Sequence, residues 1–425
     1  MRIENLRTER NGERVGVAVT VIWEDCDRPA HDVYFETDEK FSDSLSCDPN
    51  AFMVACTIPA MHFGEQRVAI DTEICPELRK GLVTAMSWLR HWFYEPGRSI
   101  VRIDASVRSK LSDPRTPERA AFFYSGGIDS FATLRANRLE FPLPHPGSIR
   151  DGILVFGLEQ DEPERFRYVL DALSGVADAA GITLIPVYTN VYLTYRQEDS
   201  AHKWKFWDYE FQSAALSSVA HALSRRLTVA YISASDSLPN DAYVNRKHVV
   251  SYGAHPVLDH NYSSAELRIH HDGITLSRLE KTRLVADWDV GLQNLRVCNQ
   301  YKRYKPGILN CGRCEKCLRT MLALKIVGVL DKTRAFPVHD LHEALRVQRQ
   351  LNPYYYLEML PHLKALGFDD LVRIIEKKIS IYRRHKTIDS WRRTIRGLST
   401  TISAAALSNS KRRGGDPHDP AERTA

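Results

Sequence analysis

Two stretches of this chain combine residue types and spacings that could do chemistry. The first is Ser125-Gly126-Gly127-Ile128-Asp129-Ser130, which directly follows the apolar run Ala120 to Tyr124. Adjacent glycines can take backbone angles that a side chain forbids, so such a loop turns sharply and brings its N–H groups close to an anion. From Phe131 the spacing becomes helical, and a helix starting there would aim its free N–H groups and positive dipole end at the same point. Ser125 and Ser130 could add hydroxyl donors, while Asp129 could hold Mg²⁺ or orient the loop. Two glycines beside serines are by themselves an ordinary turn. The full string after an apolar strand is what makes it read as a phosphate cradle.

The second stretch contains Cys298, Cys311, Cys314 and Cys317, the last three in a C-x-x-C-x-x-C spacing. Four thiolates can close a tetrahedral Zn²⁺ shell, with Gly312 allowing the tight turn and Arg313, Lys316 and Arg319 offsetting the negative charge. An iron–sulfur cluster is the alternative. The absence of an open ligand position and of a redox partner motif favours structural zinc. Cys26, Cys47, Cys56 and Cys75 lie too far apart for a metal knuckle and read as free thiols. His255, His260, His270 and His271 lack a short ligand spacing with carboxylates and read as surface or core histidines.

The elements that must position these residues follow from composition and pattern. The chain has 425 residues, 43% hydrophobic and 26% charged, which excludes a disordered chain and allows two or three domains. A net charge of +5 favours acidic partners such as nucleotides only weakly. No apolar run reaches the ~18 residues of a membrane span, and the first residues lack a signal-peptide core, so a cytoplasmic protein is expected. Eight cysteines in so long a chain then fit metal binding better than a disulfide scaffold.

Residues 1–117 read as a separate β-rich domain without a catalytic motif. Its strands are expected at Arg14–Trp23, Asp32–Thr37, Ala51–Ile58, Gln66–Asp71 and Ser99–Ile103, with a helix over Pro76–Phe93. A polar linker, Ser109 to Ala120, precedes a second domain at 118–330. There, strands at Ala121–Tyr124, Gly152–Phe156, Thr183–Val187 and Thr228–Ser233 alternate with helices, the pattern of an α/β parallel sheet. The fourth strand runs into Tyr231–Tyr243, where Asp236 and Ser237 either face a ligand or belong to a polar loop. Residues 331–407 read as a helical extension. Ile374, Ile381, Ile388 and Ile395 recur every seven residues among many basic ones, a stripe that would pack on its own body or a sister subunit. Contact with RNA or an anionic membrane is the other reading of that basic helix. The tail 408–425 is polar and expected to be disordered.

The Ser125–Ser130 string resembles the loop of the PP-loop ATP pyrophosphatases, the adenine nucleotide alpha hydrolase-like superfamily. The cysteine cluster is similar to that of its 7-cyano-7-deazaguanine synthase branch, and the likeness spans about Arg119 to Val329. The resemblance implies a doubly wound, HUP-like parallel sheet with ATP at the carboxyl ends of its strands. It further implies Ser125, Gly126, Gly127, Ser130 and Lys281 on the phosphates, Asp129 on Mg²⁺, the backbone around Leu158 at the adenine, and Asp236 and Ser237 at the substrate. Asp129 and Lys281 would carry the catalysis. The implied reaction is ATP-dependent activation of a carboxylate, here 7-carboxy-7-deazaguanine or a related deazapurine, followed by capture with ammonia. Enlarged relatives occur in bacterial antiphage clusters, which makes a protein amine donor the alternative to ammonia, and residues 1–117 would suit such a partner.

Two departures imply a substrate pocket that has diverged from the family's. The family's tyrosine-proline-aspartate-cysteine stretch is replaced by Leu238, Pro239, Asn240 and Asp241, and its arginine-asparagine pair by the stretch Trp207 to Glu210. Other PP-loop enzymes thiolate tRNA, generally with a reactive cysteine near the loop, but this chain has none from Glu77 to Val297. A zinc-stapled nucleotide sensor without turnover is the reading outside enzymes.

Overall fold

The computed structural model describes residues 1–95, 97–109, 118–158, 161–196, 205–245, 252–298, 308–337 and 340–388. Most of the expected linker, Glu159, Ile395 and the tail 408–425 lie outside the described residues. Among these residues, no helix is long and apolar enough to cross a membrane.

Ten strands form one mostly parallel sheet. They are β1 (Arg2–Asn11), β2 (Arg14–Ile22), β3 (His31–Asp38), β4 (Arg67–Ile74), β5 (Arg102–Val107), β6 (Ala120–Phe123), β7 (Ile149–Phe156), β8 (Thr183–Thr189), β9 (Val229–Ser233) and β10 (Arg268–Asp272). Their order across the sheet is β10-β9-β6-β7-β8-β3-β2-β1-β4-β5. From β6 the chain steps outward through β7 and β8, then returns to the other side of β6 for β9 and β10, all five strands parallel. That reversal leaves a crevice at the carboxyl ends of β6 and β9, where open α/β sheets bind ligands.

The expected boundary near residue 117 does not coincide with a break in the sheet. β3 pairs antiparallel with β8 from Phe35–Thr189 to Thr37–Val187. The junction is reinforced where Thr37 Oγ1 donates to Pro186 O at 2.7 Å and Thr189 Oγ1 donates to Tyr34 O at 2.7 Å. The N-terminal strands thus extend the α/β sheet, and one apolar cluster runs from Val17 and Phe35 to Ile185 and Ala230.

Alternate residues of each strand feed opposite faces. Ala121, Ile153, Ala230 and Ile232 join one cluster, with helices α1 (Pro49–Phe63), α2 (Pro76–Phe93) and the later helix Gln212–Ala222. Ala120, Phe122, Leu154 and Val229 join the other, with α3 (Ile128–Glu140), α4 (Pro163–Ala180), and the helices Arg278–Ala286 and Glu315–Val327.

The strand expected over Ala51–Ile58 is instead the centre of α1. The Asp48 carboxylate accepts from Asn50 N at 2.9 Å, Pro49 occupies the first turn, and Gly64 ends the helix at φ +92°. Every residue from Asn50 to Met61 is buried. A helix enclosed on all sides shows no amphipathic period, so its β-branched residues resembled a strand. The helix expected at Pro76–Phe93 is present, with Leu78, Leu82, Met86 and Leu89 buried.

The C-terminal extension is helical through residue 388 and packs on the second face. The heptad isoleucines do not form its buried stripe: Leu371, Val372, Ile375 and Ile379 do, while Ile388 is 48% exposed.

Candidate functional site

The glycine loop lies at the sheet reversal. Tyr124 N continues the β6 ladder by donating to Ile153 O at 2.8 Å, and Gly126 then turns the chain at φ +76°. A Cβ at Gly126 would lie 2.9 Å from Leu173 Cδ2 and 3.2 Å from Arg296 Cβ, so both conformation and space require glycine. Gly127 caps α3 without a side-chain hydrogen bond to its first turn. Ser125 Oγ accepts from Gly127 N at 3.3 Å and donates to Ser130 Oγ at 3.2 Å, while Ser130 Oγ donates to Gly127 O at 3.1 Å. The two hydroxyls therefore hold the loop's shape around an uncapped helix N-terminus.

Cationic side chains converge on this loop. The helix α5 (Arg278–Ala286) starts with a reciprocal cap: Ser277 Oγ accepts from Glu280 N at 3.2 Å, and Glu280 Oε2 accepts from Ser277 N at 2.7 Å. Arg278 and Lys281, three residues apart, thereby share one helix face. Arg278 Nη1 donates to Asp129 Oδ2 at 2.8 Å, and Lys281 Nζ donates to Asp129 Oδ1 at 3.3 Å and to Ala234 O at 2.6 Å. Burial works against ionisation of Asp129, but Arg278, Lys281 and Arg319 outweigh it and lower the carboxyl from 3.8 to about 2. Burial lowers Arg278 from the usual guanidinium range, with Asp129 acting in the opposite sense.

These groups border a cavity of about 550 Å³, within the usual size range of small-molecule sites. Ser125, Gly127, Asp129, Ser130, Leu158 and Asp236 line it, so the structure brings most of the expected site residues together. Gly126, Lys281 and Ser237 are not among its lining residues. Lys281 is 2% exposed and sits behind Asp129, whereas Arg278 reaches the cavity. Ser237 caps the short helix Leu238–Tyr243, its Oγ accepting from Asn240 N at 3.2 Å. Gly157, at φ +97°, positions the Leu158 backbone, and a Cβ there would fall 1.6 Å from Thr189 O.

Sequence reasoning missed much of the cavity wall. Arg278 and Arg296 were not singled out, although Arg278 stands one helical turn before Lys281. Lys316 and Arg319, expected to offset the thiolates, line the cavity, and the Arg319 guanidinium stacks 4.3 Å from the Tyr355 ring centroid. Arg313, in contrast, lies at the surface 2.8 Å from Glu343. Trp207, Tyr209 and Tyr252 add flat aromatic surface, with the two tyrosine rings stacked at 5.5 Å. Trp207–Phe211 form a π-helical turn, a form often found at functional sites.

The four cysteines form a separate centre beside this cavity. Their sulfurs all lie within 4.8 Å of one another, with Cys298–Cys314 at 3.8 Å, Cys311–Cys317 at 3.9 Å and Cys314–Cys317 at 3.4 Å. Tetrahedral Zn–S bonds of about 2.3 Å place sulfurs roughly 3.8 Å apart, so the cluster could hold a metal such as zinc. Cys314 N donates to Cys311 Sγ at 3.3 Å, and Gly312 turns at φ +67°. Asn310 joins the two halves of the site: its Oδ1 accepts from Val297 N at 2.8 Å and Cys298 N at 3.1 Å, while its Nδ2 donates to Leu295 O at 2.7 Å.

No family model, curated protein or solved structure matches this chain.

An uncapped helix N-terminus, a tight glycine loop and several arginines suit a polyanion, and the aromatic wall suits a planar ring. The histidines also separate by environment. His260 and His270 are exposed and His255 is buried, as expected for surface and core residues. His271, however, lines the cavity.

Proposed function

We propose that this chain is an ATP-dependent ligase of the PP-loop class that activates a carboxylate for capture by an amine. The observation that carries the reading is the Ser125–Ser130 loop, placed at the sheet reversal and facing Arg278, Arg296 and Arg319 across one cavity. The ATP phosphates would lie against the N-terminus of α3 and these cations, with Mg²⁺ entering on the nucleotide. Asp129 was expected to hold Mg²⁺, but its carboxylate is engaged by Arg278 and Lys281. Its role in this reading is to hold those two cations in place.

Carboxylate oxygen is a poor leaving group, so the acid must first be converted to an acyl phosphate or acyl adenylate. Its oxygen attacks the γ- or the α-phosphorus of ATP, and ADP or pyrophosphate, respectively, leaves with the bonding pair. Arginines fixed beforehand stabilise that developing charge without reorganising at the moment of reaction. The substrate class proposed is a planar deazapurine acid such as 7-carboxy-7-deazaguanine, which suits the aromatic surface of Trp207, Tyr209 and Tyr252. Ammonia or a larger amine then gives the amide; with ammonia, a second ATP-dependent activation of the amide oxygen would be needed for its loss and formation of the nitrile. Cys298 is the only cysteine lining the cavity among the described residues, and it belongs to the four-cysteine cluster. This weighs against sulfur transfer. Zinc, if held by the four thiolates, supplies folding energy here rather than reaction chemistry.

The test is incubation with ATP, Mg²⁺ and 7-carboxy-7-deazaguanine, with and without ammonia, followed by mass spectrometry. Substrate-dependent nucleotide cleavage and an amide or nitrile product are expected. Unchanged ATP and acid, at a protein concentration that binds ATP, would instead favour the nucleotide sensor.

A further inference from the structure

His271 is the penultimate residue of β10, at the carboxyl edge of the sheet, and its side chain lines the same cavity as the glycine loop and Arg278. Its Nδ1 lies 2.8 Å from Asp259 Oδ2. Asp259 is fully buried, and its second oxygen accepts from His255 N at 2.8 Å, so the carboxylate is held from both sides. A carboxylate on one imidazole nitrogen keeps the proton there and leaves the other nitrogen as an acceptor. That other nitrogen, Nε2, has no hydrogen-bond partner among the described residues.

The strand end is itself well fixed. Ser233 Oγ donates to Thr133 Oγ1 at 2.9 Å, and Thr133 Oγ1 donates to Asp272 Oδ2 at 2.6 Å, tying the ends of β9 and β10 to α3. Ala234 N donates to Asp272 O at 2.7 Å. His271 therefore stands on the same rigid frame as the loop. His271 thus combines a buried carboxylate on Nδ1 with a place on the cavity wall.

We propose that His271 is the general base of amine capture, with Asp259 as its positioning residue. This rests on the carboxylate-activation reading above. The amine lone pair attacks the acyl carbon, the carbon–oxygen bond to phosphate breaks, and the phosphate leaves with the bonding pair. The proton lost from nitrogen passes to His271 Nε2 and from there to water. Among the described residues, His271 is the only histidine lining the cavity. Asp129, the loop's own carboxylate, is committed to Arg278 and Lys281 and is held well below the usual carboxylate range, which makes it a poor proton acceptor.

The experiment compares two nucleophiles on the full chain supplied with ATP, Mg²⁺ and the deazapurine acid. Hydroxylamine is an α-nucleophile, largely unprotonated at neutral pH, and captures an activated acyl group with water taking the proton from its nitrogen, giving a hydroxamate, whereas ammonia is mostly ammonium there and depends on a base to take its proton. His271→Gln is expected to lower the ammonia product by ~10²-fold or more, the usual scale of general-base catalysis, with a much smaller change in hydroxamate. Asp259→Asn is expected to lower ammonia capture by ~10²-fold or more while largely sparing hydroxamate, since losing the carboxylate that fixes a catalytic histidine's tautomer can cost up to ~10⁴-fold. Ammonia capture at the parent rate in His271→Gln overturns the assignment. So does an equal fall in both products, because the role would then be structural. If the unaltered protein forms no hydroxamate, carboxylate activation itself is overturned, and this role falls with it.

Discussion

Replacing Asp129 with asparagine removes the carboxylate from beneath Arg278 and Lys281 while keeping its size. In the folded chain these cations stand 2.8 Å and 3.3 Å from the carboxylate oxygens, and their side chains are only 14% and 3% exposed. Two routes give the magnitude. The carboxyl is lowered from 3.8 to about 2, a shift that converts to about 2 kcal/mol of stability. Breaking a buried pair by removing one partner typically costs about 3–5 kcal/mol, because a charge is left uncompensated. Asp129→Asn should therefore destabilise the fold by about 3 kcal/mol at pH 7. The sign with pH follows from the downward shift. The stabilisation is complete above the unfolded value near 4 and is lost as pH falls toward 2, so the gap between parent and variant should close on acidification. Urea melts of both proteins across that range measure it. Inorganic pyrophosphate should raise the variant's midpoint more than the parent's, since the cations have lost their own anion. Equal midpoints for the two proteins at pH 7 would refute the reasoning and return Asp129 to the role of a free ligand for Mg²⁺.

Elemental analysis should find one zinc per chain, and Cys314→Ser should lose it together with a large part of thermal stability, since closed four-thiolate sites are structural. Finding iron instead would reverse the choice made from spacing. Gly157→Ala should express mainly as insoluble protein, because the new Cβ would sit 1.6 Å from Thr189 O at a positive φ. Soluble protein with unchanged melting would contradict that packing. His255 is held at about 4 by burial and by nearby His271, with Asp259 acting the other way, so it is neutral in the fold. That stability is present above pH 6.5 and is lost as pH falls toward 4, so melts over this range should show a slope that His255→Gln flattens.

How much could be read in advance depended on where each signal resides. The loop and the cysteine cluster are local patterns, and both appear in the structure at the residues named. The parallel strands are short apolar runs between helices, so β6, β7, β8 and β9 fall within a few residues of their expected positions. β1 was missed because most of its residues are charged or exposed and no apolar alternation marks it, although it pairs with both β2 and β4. β10 was missed for a similar reason: Arg268, His270, His271 and Asp272 leave one apolar residue in five. The cationic wall was illegible for a different reason. Arg278, Arg296 and Arg319 come from separate segments, and no pattern within any one of them shows that the fold brings them to one cavity. Likewise, no periodicity shows that Asp259 and His271, twelve residues apart, meet across a turn and a strand.

The two centres are one piece of construction. Arg296 lies two residues before the first cysteine; its N donates to Gly126 O at 2.7 Å and its Nη1 to Ser125 O at 2.9 Å. On the far side, the helix Glu315–Val327 begins at Cys314, and its first turns carry Lys316 and Arg319 to the cavity. The cysteine cluster thus fixes both segments that supply these cations, one by a short backbone span and the other by the start of a helix. Asn310 locks the two together through its bonds to Leu295, Val297 and Cys298. Without such a fixed point, Arg296 and Arg319 would each need their own packing to stay near the loop, and long basic side chains lose considerable rotamer entropy when ordered one by one. A metal held by the four thiolates would therefore also set where Arg296 and Arg319 stand beside the glycine loop.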